Sequence, residues 1–166
     1  MNAESAAAST AQPKAYRVIL WSGLIAGVLD ILSAFVHGGY LGRTPMAVLQ
    51  SISSGLLGAE AYNGGIPTAA LGLALHFLIA FVATTVFYAA TRKLTFLLDQ
   101  AVISGIIYGV VVYFFMYGVV LPLTFHRSFL RTPGTIAIGL GIHILFVGLP
   151  IALAVRHFSK PVLVAS

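Results

Sequence analysis

Four long runs of apolar residues, about 18–41, 66–91, 100–123 and 134–155, set the pattern of the chain. Each can cross a hydrocarbon layer of about 30 Å, which takes roughly 20 helical residues. A lone strand in lipid would leave its backbone N–H and C=O groups without partners, so the pattern predicts four transmembrane helices. A stretch of different character lies between the first two runs. Thr44 is placed to cap a helix, with Pro45 at its first position. Met46, Leu49, Ile52 and Leu56 then recur at three- and four-residue spacing opposite Gln50 and Ser54, and Gly58 is placed to end the helix. This predicts a short amphipathic helix over about 45–57. It is too short to span, and either lies on the outer leaflet or over the bundle, or re-enters the membrane.

The apolar runs match in pairs. The pattern T-x-A-x-G-L-x-x-H occupies Thr68, Ala70, Gly72, Leu73 and His76, and again Thr135, Ala137, Gly139, Leu140 and His143, at an offset of 67. Ser22, Gly23 and Gly27 in the first run match Ser104, Gly105 and Gly109 in the third, at an offset of 82. Arg-Thr-Pro follows both, at Arg43-Thr44-Pro45 and Arg131-Thr132-Pro133. The offsets differ by 15, about the length of the amphipathic helix, so one insertion in the first half accounts for both. The expected fold is therefore all-α: four transmembrane helices as two tandem parallel hairpins, with the amphipathic outer helix between spans one and two. The first repeat covers about 17–93 and the second about 99–158, within a single domain of 17–158. A polar Ala/Ser-rich tail over 1–16 is expected to be disordered, and 159–166 forms a second tail. Two spans per unit give both copies one orientation, related by an axis along the membrane normal.

Composition agrees with the pattern. Hydrophobic residues make up 59% of the chain and charged residues 8%, too few charges to cover a soluble surface. The net charge of +5 sits at span ends, where basic residues anchor membrane helices, and is not a nucleic-acid signal. Lys14, Arg17, Arg92, Lys93, Arg156 and Lys160 fall on one side, and Arg43, Arg127 and Arg131 on the other. The positive-inside rule then puts both termini in the cytoplasm. Trp21, Tyr40, Tyr88 and Tyr117 are expected at the interfaces. The run after Arg17 lacks an A-x-A cleavage site and reads as a retained signal anchor. The absence of cysteine removes disulfides and thiolate metal sites. Nucleophile elbows, phosphate loops and zinc-hydrolase pairs are also absent, which lowers the odds of an enzyme. Expected partners are the lipid bilayer and a second copy or another membrane protein.

In lipid, small residues mark helix contacts, and Gly23, Gly27, Gly72, Gly105, Gly109 and Gly139 are read as packing positions. Helical spacing places polar groups on the same faces: Asp30 beyond Gly27, His76 one turn beyond Gly72, and His143 one turn beyond Gly139. At 1.5 Å per residue, Asp30 is about 18 Å from the inner end of its span and the histidines about 13–15 Å from the outer ends of theirs. Asp30, His76 and His143 therefore form a candidate mid-membrane cluster. A charged Asp there costs about 3 kcal/mol or more, so it should be paired, protonated or hydrated. The cluster can serve as a proton relay or ligand site, or it can be an interhelical hydrogen bond of about 1 kcal/mol that pins packing. The acid is not duplicated, because the position matching Asp30 is Val112.

Two cofactor alternatives stay open, although the sequence demands none. His76 and His143 could ligate a b-type haem axially, with Gly72 and Gly139 leaving room for the macrocycle. Together with Asp30 they could hold a divalent metal. Arg43 and Arg131 either bind an anion or lipid head group at a helix start or simply anchor the outer rim. His37, His126, His157, Glu60 and Asp99 are expected to be solvated, and Pro150 should kink span four. The function classes are thus a structural or accessory membrane protein, a small proton-coupled transporter or channel, and a haem-binding membrane protein.

The glycine spacing of spans one and three, Arg43-Thr-Pro, and the histidines of spans two and four resemble a group of small bacterial four-span membrane proteins. More distantly, they resemble the YagU-type inner-membrane family, over about residues 17–158. The resemblance implies a bacterial inner-membrane protein of unassigned biochemistry, with a connection to acid resistance and no catalytic residues to carry over.

Overall fold

The computed structural model describes residues 9–11, 13–125, 132–160 and 162–164. Four helices are long and apolar enough to cross a membrane: α1 (Ala15–Tyr40), α3 (Gly65–Thr91), α5 (Ala101–Phe125) and α6 (Pro133–Phe158). Their ends fall within a turn of those expected. α2 (Pro45–Leu57) follows α1, and a 3-10 turn (Gly58–Tyr62) leads from it to α3. The short α4 (Phe96–Asp99) joins α3 to α5. The two Arg-Thr-Pro helix starts behave alike: Thr44 accepts from the Ala47 N–H at 3.2 Å and Thr132 from the Thr135 N–H at 3.3 Å, each with proline just inside the helix. Strands β1 (Ser9–Ala11) and β2 (Val162–Val164) pair antiparallel, so the two terminal segments meet at one end of the bundle. This is the terminal end; α2 lies at the other.

α1 packs against α3 and α6, and α5 packs along α6. Glycine sets these distances. Gly23 and Gly27 receive the rings of Phe81 and Phe77 from α3. Gly105 faces the backbone of Gly148 and Leu149 on α6, and Gly109 faces that of His143 and Ile144. A Cβ at any of the four would overlap its neighbour, which is how helices gain contact where lipid removes the hydrophobic drive. α3 and α5 make no extensive contact and are bridged by Tyr108. The Tyr108 hydroxyl donates to the Ala83 carbonyl at 2.6 Å, and its ring lies 5.0 Å from that of Phe87. A buried cluster including Val18, Ala26, Phe87, Val147, Ile151 and Val155 fills the terminal half of the bundle. Large apolar side chains such as Val36, Ile66 and Leu123 cover the outside, as lipid-facing residues do.

The ends of the apolar stripe of α2 are turned away from the bundle. Its buried residues are Val48, Gln50, Ser53 and Ser54, whereas Met46, Leu56 and Leu57 are exposed. The polar side faces the bundle. Gln50 Nε2 donates to the Gly65 carbonyl at 3.2 Å and to Thr68 Oγ1 at 3.3 Å, and the Thr68 hydroxyl donates to the Ala61 carbonyl at 2.6 Å. The physical reason is the solvent. Beside lipid, amide donors need protein acceptors and apolar side chains do not need a core. Gly72 completes the seat, because the Leu49 carbonyl of α2 occupies the space a Cβ would take.

Candidate intramembrane site

A cavity of about 820 Å³ lies between the four spans and beneath α2. Asp30 on α1, His76 on α3 and His143 on α6 all line it. Each is ten or eleven residues from the α2 end of its helix, about 15 Å at helical rise, so the three reach one level. The Asp30 carboxyl is within electrostatic range of both imidazoles. Ala26, Ala83, Val112, Val147 and Ile151 floor the cavity and continue into the apolar cluster that separates it from the terminal end.

The histidines are held by backbone. His76 Nε2 lies 2.9 Å from the Gly27 carbonyl oxygen on α1, and His143 Nδ1 lies 2.9 Å from the Gly139 carbonyl oxygen one turn back in α6. A carbonyl can only accept, so His76 carries its proton on Nε2 and His143 on Nδ1. Edge contacts orient both rings: Phe77 stands 5.5 Å from His76, and Tyr113 and Tyr117 stand 5.4 and 5.9 Å from His143.

Two π-helical turns shape the wall. One covers Met116–Val120 in α5 and the other His143–Gly148 in α6. Pro122 and Pro150 lie just beyond them and have no N–H to return to the preceding turn. The helices take up the missing bond as a π turn, a feature common at functional sites. The expected disturbance at Pro150 is therefore a π turn that opens at His143. Met116, Tyr117 and Val120 from one turn, and His143 and Val147 from the other, face the cavity.

The roof comes from α2 through Ser51, Ile52, Ser54 and Gly55, with Gly55 against the Thr124 side chain of α5. The serine and threonine hydroxyls of the roof and wall are turned into their own helices. Ser51 donates to the Val48 carbonyl at 2.6 Å, Ser54 to Ser51 at 2.8 Å and Thr124 to Val120 at 2.7 Å. Arg43 lines the α2 end of the cavity and is exposed. His126, Arg127 and Arg131 fall outside the described residues. His157, at the terminal end, is exposed and stands edge-on to Phe158 at 5.0 Å.

The haem reading does not fit. The spaces at Gly72 and Gly139 are filled, the first by the Leu49 carbonyl and the second by the Tyr113 ring, so neither leaves room for a macrocycle. Among the described residues, no three His, Asp or Glu side chains group as metal ligands. The three ionisable groups surround a space rather than converge on a point. Tyr117, expected at an interface, lies instead on the cavity wall. Its signal was the four-residue ladder Gly105, Gly109, Tyr113, Tyr117, which continues the glycine face of α5 to the site.

The chain is an integral membrane protein by its four spanning helices. No protein-family profile, no curated protein and no solved structure matches it.

Proposed function

We propose that the protein is a small proton-coupled transporter whose intramembrane site is Asp30, His76 and His143. The observation that carries this reading is that all three side chains line one cavity at one depth. Residues whose only task is to pin helices would be packed against each other, whereas these border open volume. A carboxylate in the bilayer interior needs a proton, a cation or an imidazolium beside it, and the cavity provides room for exchange among them.

The chain also reads as a duplicated hairpin. The contact pairs support this: Gly23 with Phe81 maps onto Gly105 with Gly148, and Gly27 with Phe77 onto Gly109 with Ile144, by the same offsets of 82 and 67 found in the sequence. Departures from the repeat explain the cavity. Ala26 lets α1 lie close to α6, while the matching Tyr108 holds α5 away from α3. Val112 stands where the first copy has Asp30, so the acid is supplied once. The basic residues favour cytoplasmic termini, which places the α2 roof outside, and the resemblance to small bacterial four-span proteins implies the inner membrane.

One observation favours the competing reading of a structural or accessory protein: each histidine donates to a backbone carbonyl, as packing residues do. Proton flux into proteoliposomes, followed with an internal pH dye, separates the two. Transport requires that Asp30→Asn abolish flux while the melting curve keeps its cooperativity. Wild-type liposomes no leakier to protons than empty ones would sink the transport reading.

A further inference from the structure

Asp30 and His76 line the cavity at one depth, and both present acceptors there. Asp30 brings two carboxylate oxygens, and His76 donates from Nε2 to the Gly27 carbonyl, so its Nδ1 carries a lone pair. At the α2 end of the cavity the hydroxyls of Ser51, Ser54 and Thr124 donate to carbonyls of their own helices. Among the described residues, the positive group on the cavity lining is Arg43, which lies beyond Tyr40, the residue about 15 Å outward of Asp30 along α1. Tyr62 and Tyr117 also line it. Leu75, Ile79, Val120, Leu121 and Phe125 make much of the remaining lining apolar. A volume of about 820 Å³ falls in the range of cavities that bury a small organic molecule.

We infer that the ligand of this cavity is a protonated primary amine with an apolar body, its ammonium hydrogen-bonded to the Asp30 carboxylate and the His76 Nδ1 lone pair. The inference rests on the transport reading and specifies its substrate class. An ammonium brings N–H donors and a positive charge to these two groups. A carboxylate or phosphate would bring more acceptors to acceptors, and a like charge to Asp30. The apolar body lies along the aliphatic wall below α2. Ammonium and proton then compete for one carboxyl: binding of RNH₃⁺ displaces the Asp30 proton into water, and reprotonation releases the amine. The other titratable groups facing this exchange are His76 and His143, with Tyr117, Tyr62 and the rim guanidinium of Arg43.

The test uses the full chain in lipid nanodiscs and four probes of matched shape: 2-phenylethylammonium, its N,N,N-trimethyl derivative, 3-phenylpropanol and 3-phenylpropionate. Binding is read by calorimetry at two pH values. The expected result is binding of the primary ammonium, about tenfold or more weaker binding of the trimethyl probe, which has no N–H, and no binding of the carboxylate. The same titration in two buffers of different ionisation enthalpy should show proton release. Asp30→Asn should lose ammonium binding, and the wild-type probe comparison stands even if that variant does not fold. Equal or tighter binding of the carboxylate overturns the inference, as does failure of every probe to bind. Proton flux that depends on Asp30 without amine binding removes this inference and leaves the transport reading in place. Amine binding without flux keeps the ligand class and removes transport.

Discussion

His76 on α3 donates from Nε2 to the carbonyl oxygen of Gly27 on α1 at 2.9 Å, at the residue whose missing Cβ admits the Phe77 ring. One glycine thus sets both the approach of the two helices and the tautomer of the histidine. Because this bond crosses between helices, His76→Phe should lower thermal stability in detergent, by about 1 kcal/mol. The His143 bond stays within its own helix, so His143→Phe should cost less. Equal losses in the two variants would show that the α1–α3 bond contributes nothing to the assembled bundle.

Glycines in α6 allow a sharper contrast. A Cβ at Gly148 would overlap the backbone of Gly105 and Gly109, whereas Gly141, about two turns away, has open space around it. Gly148→Ala should destabilise by about 1–3 kcal/mol through forced separation of α5 and α6. Gly141→Ala should be neutral or stabilising by up to about 1 kcal/mol, the ordinary gain of replacing glycine in a helix. Melting curves of the two variants decide it, and similar destabilisation in both would mean that glycine acts through flexibility rather than contact.

α2 is fastened to the start of α3 by Gln50 and meets α5 near Gly55. Gln50→Leu should therefore loosen the roof without unfolding the spans. The chain has no cysteine, so Ser54→Cys reports on the cavity by itself. Its reaction with a membrane-impermeant maleimide from the outer side should be slow in the parent and several-fold faster with Gln50→Leu. An unchanged labelling rate would show that this pair of hydrogen bonds does not hold the roof.

The spans were legible because lipid imposes one rule on every backbone group, and long uncharged runs satisfy it only as helices. The depth agreement of Asp30, His76 and His143 was legible for the same reason, since helical rise converts position into height. The orientation of α2 was not. Periodicity identifies an apolar stripe but not the solvent it faces, and here Met46 and Leu56 face outward while Gln50 and Ser54 face in. The glycine spacing predicts contact points, yet Gly72 meets the amphipathic helix rather than another span, because its partner is a backbone carbonyl with no sequence signature. Tyr117 was misplaced because a tyrosine two turns from a span end looks interfacial until the π turn is known.

The π turn at His143–Gly148 links proline to the site. Pro150 withholds the N–H that would bond to the Phe146 carbonyl, and the helix accommodates one extra residue in the turn that begins at His143. Pro150→Ala restores that donor and lets the segment relax to regular α-helix. Relaxation would rotate His143 relative to Ile151 and the lower half of α6 by about 100°, the angle of one helical residue, and carry the imidazole off the cavity wall. The expected outcome is a paired change: a higher melting temperature, because a strained turn is replaced by an unstrained one, and proton flux as low as that of His143→Ala. A more stable Pro150→Ala protein with full flux would separate the π turn from function and leave His143 as a packing residue.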